Sequence, residues 1–421
     1  MDGRSWRGIP WLIPSGMIAL ALALVLVRLP IRSRHALSST PLTNPATVVP
    51  IYVMPAASPA DLRHPEAVQK AVDFLINLQP ERSYILTWPS RQVVVPMDVA
   101  HAAIALVSVG RLDAAEAAMT WLYRHMTRPG GDDAVLERGD DYAGSWYDQL
   151  DVRGRPIPGA ARGRGEAVGI ALIATFAIDH QDPRYLQQPI GDYTVLDLVE
   201  LAVDYLTSPS MQAEDGRFYH SPSYRVSFTE EGARMALGLK LASQMLERRG
   251  RSAAAERARQ GAARGLLALA REQSMNRGMA YDYFARAIWG LASPSEARRE
   301  LAEVRTAGLV TDLGVRNWDW QLDQATSLGD WLHWWVQAQT VAPSQTFDFA
   351  IAAIQAGDLQ TAIALEKRWL LLQRSDGGFS DAAIAGPLGA VIGFGEPTAY
   401  AAARFVLFEH LLTIAVGQSG A

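Results

Sequence analysis

From about residue 66 onward, apolar positions recur at the three- and four-residue spacing of α-helices, and glycine and proline separate the helical stretches. Two kinds of stretch alternate. Met97–Gly110 and Phe347–Gly357 are apolar and rich in small residues around most of their surface, which is typical of buried helices. The intervening stretches are amphipathic: Leu112–Met126, Val195–Thr207, Ser252–Gln273 and Leu359–Gln373. The pattern predicts alternating inner and outer helices.

The inner stretches share a second feature, an acidic residue at the start. The six acidic starts are Asp98, Glu166, Glu230 with Glu231, Asp282, Asp348 and Glu396. Six repeats of an inner and an outer helix predict an all-α, closed (α/α)6 toroid over residues 66–415. A solenoid of helix pairs would show a similar alternation, but it would need no buried inner set.

The lengths of the connections indicate where function lies. Connections from inner to outer helices are mostly tight, whereas those from outer to inner helices are long, at about 79–96, 127–165, 208–229, 308–345 and 374–395. All the long loops leave the toroid on the face where the inner helices begin. Because long loops inside a compact domain usually carry function, we expect the working surface on this long-loop face.

The amino-terminal region predicts a membrane anchor. Ile9–Val27 is free of charge and close to the ~20 residues that cross a bilayer. A cleaved signal peptide is the alternative, but arginines follow the segment where a small-residue cleavage site is expected. We therefore predict an anchor in residues 1–35, a proline-rich stalk in 36–65, and a short tail in 416–421. The flanking arginines leave the orientation open, and the stalk favours a single-pass protein whose body is extracytoplasmic.

Composition excludes several kinds of function. The 421 residues carry a formal net charge of −5, so no basic excess favours nucleic acid as a partner. There are no cysteines, which excludes thiolate metal sites and a cysteine nucleophile. We find no histidine pair at helical spacing, no EF-hand loop and no phosphate-binding glycine loop. The sequence therefore predicts neither a metal site nor a cofactor.

One motif carries a resemblance to known families. Leu365–Phe379, LEKRWLLLQRSDGGF, resembles the Gln-Asp-Gly-aromatic turn of prenyltransferase and terpene-cyclase repeats, with weaker echoes at Phe74–Gln79 and Glu214–Tyr219. Those families share the α/α toroid with the six-hairpin glycosidase superfamily. The resemblance covers residues 66–415, and it extends only to the fold and to the pattern of the repeats. The turn also has a structural explanation, because Asp-Gly-Gly reverses the chain, Gln373 can satisfy helix-end groups and Phe379 can pack underneath.

The resemblance implies a fold and argues against terpenoid chemistry. The aspartate motifs DxDD and DDxxD of terpene cyclases are absent, and a prenyltransferase zinc set would need a cysteine. Six-hairpin glycosidases, lyases and epimerases remain, and no catalytic motif of any one of them matches.

Three polar segments with interleaved aromatic residues lie in the long loops. Glu137–Glu166 is the richest in acids, Asn317–Trp335 in tryptophans, and Arg217–Gly232 contributes His220. Aromatic faces stack on sugar rings while carboxylates bind hydroxyls. Converging acids raise each other's proton affinity, and glycosidic cleavage uses one protonated and one ionised carboxyl.

The leading interpretation is a membrane-anchored carbohydrate-active protein, glycoside hydrolase-like, that acts on a polysaccharide. Predicted proton-transfer residues are Asp98, Asp148, Glu166 and Asp282, and predicted sugar-stacking residues are Trp146, Tyr147, Tyr219 and Trp318. The alternative is a non-catalytic toroid that serves as an interaction subunit of a membrane complex. A lyase or an epimerase on the same fold also stays open.

Overall fold

The computed structural model describes residues 49–129, 142–271, 280–316, 340–385 and 391–419. These residues belong to one compact unit. The predicted anchor, Ile9–Val27, lies outside the described residues.

The described residues form twelve α-helices. In chain order they are α1 Pro65–Asn77, α2 Pro96–Ser108, α3 Leu112–Arg124, α4 Gly165–Gln181, α5 Val195–Thr207, α6 Thr229–Arg248, α7 Ser252–Arg271, α8 Ala280–Ile288, α9 Pro294–Thr306, α10 Pro343–Gln355, α11 Leu359–Trp369 and α12 Ala399–Ser419. The even-numbered helices are inner helices, and each packs against the next in the order α2, α4, α6, α8, α10, α12. Helix α12 packs in turn against α2, so the inner ring closes. The α/α toroid predicted from the sequence is confirmed.

The odd-numbered helices form the outer layer, as the amphipathic stretches predicted. Two of them begin with a reciprocal capping box, in which a hydroxyl and a carboxylate satisfy free amides of the first turn. Thr194 and Asp197 form the box of α5, and Ser293 and Glu296 form that of α9.

Tight connections follow four inner helices, and each contains a glycine with positive φ. Gly110, Gly250, Gly290 and Gly357 have φ values of 72°, 74°, 66° and 80°. At each of them the chain leaves the helix and the following residue donates back to a carbonyl five residues earlier, for instance Arg111 N to Leu106 O at 2.8 Å. A side chain disfavours this left-handed conformation, which is why glycine ends these helices.

Short antiparallel strand pairs order the loops. The pairs are β1 Val93–Val94 with β2 Leu150–Asp151, β3 Pro189–Ile190 with β4 Tyr193–Thr194, and β5 Ala382–Ala385 with β6 Val391–Phe394. The first pair joins the loop before α2 to the loop before α4. It therefore fixes two loops of the long-loop face against each other.

The Gln-Asp-Gly turn has the structural role that its residues predicted. Gln373 Nε2 donates to Ala67 O of α1 at 2.8 Å and to Gly377 O at 3.1 Å. Gln212 makes the same pair of contacts, with Gly261 O of α7 and with Gly216 O. Phe379 beneath the turn is fully buried. Each turn thus ties the end of one outer helix to its neighbour in the ring.

Both ends of the predicted toroid domain differ from expectation. Ile51, Met54 and Leu62 are buried in the core, and Ala57 N donates to Ser108 O at 3.0 Å. The described part of the predicted stalk therefore packs on the toroid, because its apolar residues find a surface there. Helix α12 continues to Ser419 and includes the described part of the predicted tail.

Helix α12 is also the one described helix that is long and apolar enough to cross a bilayer, over Ala399–Gln418. Within the toroid, 78% of its most apolar window is buried. Its hydropathy is therefore explained by its place in the inner ring.

Candidate active site

Four inner helices bring carboxyl groups to the long-loop face. Asp98, Glu166 and Asp282 lie in the first turns of α2, α4 and α8, and Glu230 and Glu231 lie in the first turn of α6. All five are buried, with exposed fractions of 5–8%. Acidic residues therefore begin four of the six inner helices on this face.

Two of the six predicted starts are displaced along the chain. Helix α10 begins at Pro343, so Asp348 lies in its second turn. Helix α12 begins at Ala399, so Glu396 precedes it and instead accepts from Ser90 N at 2.6 Å. The expectation that all six acids occupy first turns is wrong at these two positions, because a proline and a threonine cap set the helix starts elsewhere.

Arg234, on α6, connects the carboxyl groups of the ring. Its Nη1 donates to Glu166 Oε2 at 3.0 Å, and its Nη2 contacts Glu230, one turn earlier on the same helix. Nη2 also donates to the Tyr400 hydroxyl at 3.2 Å. The Arg234 side chain is only 3% exposed, so its charge is compensated by buried anions rather than by water.

A second buried arginine holds Asp348. Arg404, on α12, binds Asp348 through its guanidinium, and both side chains are 1% exposed. The Tyr400 hydroxyl donates to Asp348 Oδ2 at 3.1 Å. Burial raises the pKa of Asp348, and Arg404 and Arg234 act in the opposite direction. Tyr400 thus links the two arginine-centred groups.

The loop before α4 adds a partly exposed ion-pair chain. Arg164 contacts Asp148 Oδ2 at 3.3 Å and Glu166 Oε1 at 3.5 Å. Asp148 Oδ1 accepts from Ala161 N at 2.7 Å, which fixes the loop. Burial raises the pKa of Asp148, while Arg164 lowers it. Asp148 is therefore connected to Glu166 through one guanidinium.

Glu231 and His220 form a hydrogen-bonded pair at the edge of the ring. His220 Nδ1 lies 2.7 Å from Glu231 Oε1. Burial, followed by the negative charge of Glu166, raises the pKa of Glu231 well above its usual range. Burial, followed by Arg164, lowers the pKa of His220. The pair therefore favours a protonated carboxyl beside a neutral imidazole.

Asp98 and Asp282 are the remaining buried acids of the ring. Burial raises the pKa of Asp98 to about 7, with a hydrogen bond from Thr87 opposing the shift. Asp282 Oδ1 accepts from Glu230 N at 3.2 Å, across the junction of α6 and α8. His101, one turn after Asp98, is fully buried, with Nδ1 2.8 Å from Met97 O. Burial lowers the pKa of His101 well below its usual range.

The predicted stacking residues divide into three groups. Trp146 is 1% exposed and donates from Nε1 to Leu122 O at 2.7 Å, so it is a core residue that cannot stack on a sugar. Tyr147 and Tyr219 are half-buried, with the guanidinium of Arg162 over Tyr147 and that of Arg225 over Tyr219. Trp318 lies outside the described residues.

The comparisons with known proteins bear on the fold. No family model matches the sequence, and no curated protein matches it. Solved structures do match. A wild-type glycosidase has a TM-score of 0.61 at 15% identity, over 86% of this chain and 98% of that one. A glucoamylase from Saccharomycopsis fibuligera has a TM-score of 0.58 at 9% identity, over 89% and 98%.

The chain shares the six-hairpin α/α toroid fold of these solved structures. A bacterial glucoamylase complexed with acarbose also matches, with a TM-score of 0.57 at 13% identity, over 85% of this chain and 58% of that one. These likenesses confirm the fold-level resemblance stated from the sequence. At such low identity they establish the glycosidase-like toroid, and the chemistry must be argued from the site.

Sequence reasoning missed the two buried arginines and the Glu231–His220 pair. Arg234 and Arg404 each interrupt an otherwise small and apolar stretch, GARMALG and AAARFVL. A lone arginine in a helix predicted to be buried signals an internal anionic partner. Glu231 and His220 belong to one segment, but their contact depends on how the loop before α6 folds back.

Proposed function

We propose that this protein is a glycoside hydrolase-like enzyme that cleaves glycosidic bonds of a polysaccharide or oligosaccharide on the long-loop face. One observation carries the proposal. Glu231, whose pKa is raised well above its usual range, lies in the electrostatic field of Glu166, which is ion-paired with Arg234 and Arg164. A carboxyl that keeps its proton near a carboxylate is the arrangement that glycosidic cleavage requires.

In this mechanism Glu231 is the general acid. Its proton would pass to the oxygen of the leaving sugar as the glycosidic bond breaks. His220, bonded to the Glu231 carboxyl, orients it and can return a proton after turnover. Side-chain exposures of 9% for Glu231 and 15% for His220 leave the pair in reach of a ligand at the rim.

Glu166 is the candidate for the second carboxylate. Its ion pairs with Arg164 and Arg234 hold it in place, and it either attacks the anomeric carbon or activates a water molecule. Asp148 shares Arg164 with Glu166 and would bind sugar hydroxyls at the rim. Asp98 and Asp282 stay predicted proton-transfer residues, and their buried carboxyl groups interact electrostatically with Glu166 and Glu231.

The experiment is a turnover assay of the full chain, in mild detergent, against a panel of α- and β-linked glycans. We expect Glu231→Gln and Glu166→Gln each to lower kcat by roughly 10²- to 10⁴-fold. Asp215→Asn is the matched control, since Asp215 is an exposed acid on the same face, paired with Arg217. Absence of turnover and binding across the panel, or variants equal to the wild type, would refute the enzymatic proposal.

A second candidate is a non-catalytic toroid that acts as an interaction subunit. The observation that favours it is the pair of buried arginines, because Arg234 and Arg404 occupy space among the carboxylates and neutralise them. This candidate predicts a stoichiometric partner that co-purifies from membranes in mild detergent and contacts the long-loop face. A chain that elutes alone while turning over a glycan contradicts it.

The membrane part of the proposal rests on the sequence. Ile9–Val27 would anchor the protein by a single span, and the proline-rich residues that follow favour an extracytoplasmic toroid. The substrate would then be a surface or secreted polysaccharide.

A further inference from the structure

A second group of titratable side chains lies away from the acidic ring, where the first, eleventh and last helices meet. His64 precedes α1, Glu366 lies on α11 and Glu409 on α12. Each offers one nitrogen or carboxylate oxygen, and these atoms lie within 4.8 Å of one another. His64 Nε2 is 3.2 Å from Glu366 Oε1.

Glu409 is the anomalous member of this group. Its side chain is fully buried in the middle of α12, and neither carboxylate oxygen has a hydrogen-bond partner. A buried carboxyl without a partner is costly, so native proteins pair it, hydrogen-bond it or use it as a ligand. It faces a second carboxylate and an imidazole.

The remaining polar contacts of the group include one cation for its two carboxyl groups. Arg63 binds Glu366 in a bidentate manner, with Nε 2.8 Å from Oε1 and Nη2 3.1 Å from Oε2. One guanidinium thus faces two carboxyl groups. With both carboxyls ionised and His64 neutral, the group would carry a net charge of −1, which a cation can balance.

We propose that His64, Glu366 and Glu409 bind one divalent transition-metal ion, of the class of Zn²⁺ or Mn²⁺. An imidazole with two carboxylates is a donor set that suits these ions. The 3.2 Å between His64 Nε2 and Glu366 Oε1 is close to the edge of a tetrahedron with bonds of about 2.0–2.2 Å. Calcium, by contrast, takes about six to eight oxygen ligands.

The ion would join the two ends of the toroid. Helix α1 packs against α12, and α11 packs against α12 as well. A metal at their junction would hold the last inner helix to the first outer helix, which is where the ring of hairpins closes. The site is independent of the proposed glycosidase chemistry, and it modifies the expectation of no metal drawn from local sequence spacing, because its ligands come from opposite ends of the chain.

The test is metal binding to the full chain, untagged, treated with a chelator and kept in mild detergent. We expect titration calorimetry with Zn²⁺ or Mn²⁺ to show one ion per chain. Co²⁺ should give the visible absorption of a nitrogen- and oxygen-bound ion. The binding should raise the melting temperature, and above the dissociation constant the rise should follow the logarithm of the ion concentration.

Two variants and two controls make the test specific. Glu409→Gln and His64→Ala should each weaken binding by more than about tenfold. Glu214→Gln and His180→Ala, at exposed positions, should leave it unchanged. Glu409→Gln keeps the side-chain shape, so its melting temperature without metal should not fall. Absence of stoichiometric binding, equal affinity in Glu409→Gln, or a preference for Ca²⁺ would overturn the proposal.

Discussion

The acidic ring holds its carboxyl groups in two different ways on its two sides. On the closed side, Asp348 lies between Arg404 and Tyr400. On the open side, Glu166 and Glu231 are paired with Arg164 and His220, which keep some contact with solvent. Carboxyl groups near the same end of different inner helices therefore have two environments.

The two sides of the ring differ in how much of their ion-paired side chains is exposed to solvent. The side chains of Arg404 and Asp348 are each 1% exposed, whereas those of Arg164 and Asp148 are 25% and 15% exposed. A fully buried ion pair is tolerated only while both partners are present, because either one alone is a buried charge. The closed side is suited to support the fold, and the open side is suited to meet a ligand.

The largest expected effect is on the closed side. Asp348→Asn leaves the Arg404 guanidinium buried beside a neutral amide, and arginine cannot lose its proton at accessible pH. We expect the free energy of unfolding to fall by about 3–5 kcal/mol, measured by urea denaturation. Asp73→Asn, at an exposed position on α1, is the control.

The reciprocal variant, Arg404→Met, should lower the free energy of unfolding by less than Asp348→Asn does. Burial already raises the pKa of Asp348, so the unpaired carboxyl can take up a proton. A larger loss for Arg404→Met would show that packing against Trp289, over whose ring Arg404 lies at 5.3 Å, matters more than charge.

The closed ring was largely predictable from sequence. Small, apolar stretches such as Met97–Gly110 can only be buried, and six of them with amphipathic partners leave few architectures. Helix boundaries were less predictable. Pro343 starts α10 one turn earlier than the acidic pattern indicated and carries Asp348 to the second turn.

The pairing within the site could not be predicted. Arg234 meets Glu166 from another helix, and Arg404 meets Asp348 across 56 positions of sequence. Such partners depend on helix rotation and depth, which hydrophobic periodicity specifies only coarsely. Trp146 shows the same limit, because a tryptophan in a polar loop segment proved to be a core residue that donates to Leu122 O.

An intermediate effect is expected at Asp98, on α2, the helix that contacts both α12 and α4. Its pKa is about 7 in the folded chain against 3.8 for the ordinary group. Between pH 3.8 and pH 7 the Asp98 carboxyl is protonated in the folded state and ionised in the unfolded state. The free energy of unfolding therefore falls as pH rises, by up to about 1.4 kcal/mol per pH unit. Above pH 7 this contribution to the slope vanishes.

Asp98→Asn should remove that slope. Urea midpoints at pH 5, 6, 7 and 8 should decline less steeply in the variant than in the wild type, and the difference isolates Asp98 from the other buried acids. Equal slopes would mean that the Asp98 carboxyl is ionised from pH 5 to pH 8, as an ion-paired carboxylate would be.

The smallest expected effect on stability is on the open side. Arg164→Gln breaks contacts with Asp148 and Glu166 that are partly exposed and 3.3 and 3.5 Å long. Solvent can replace them, so we expect the free energy of unfolding to change by less than about 1 kcal/mol. Turnover should nevertheless fall, because Arg164 positions Glu166, the proposed second carboxylate, and Asp148, the proposed sugar-binding acid. Arg217→Gln, which breaks an exposed pair with Asp215, should change neither. A loss of stability as large as that of Asp348→Asn would show that Arg164 supports the fold in the same way as Arg404. The two sides of the ring would then not differ in their effect on stability, and the open side would no longer be favoured as the catalytic site.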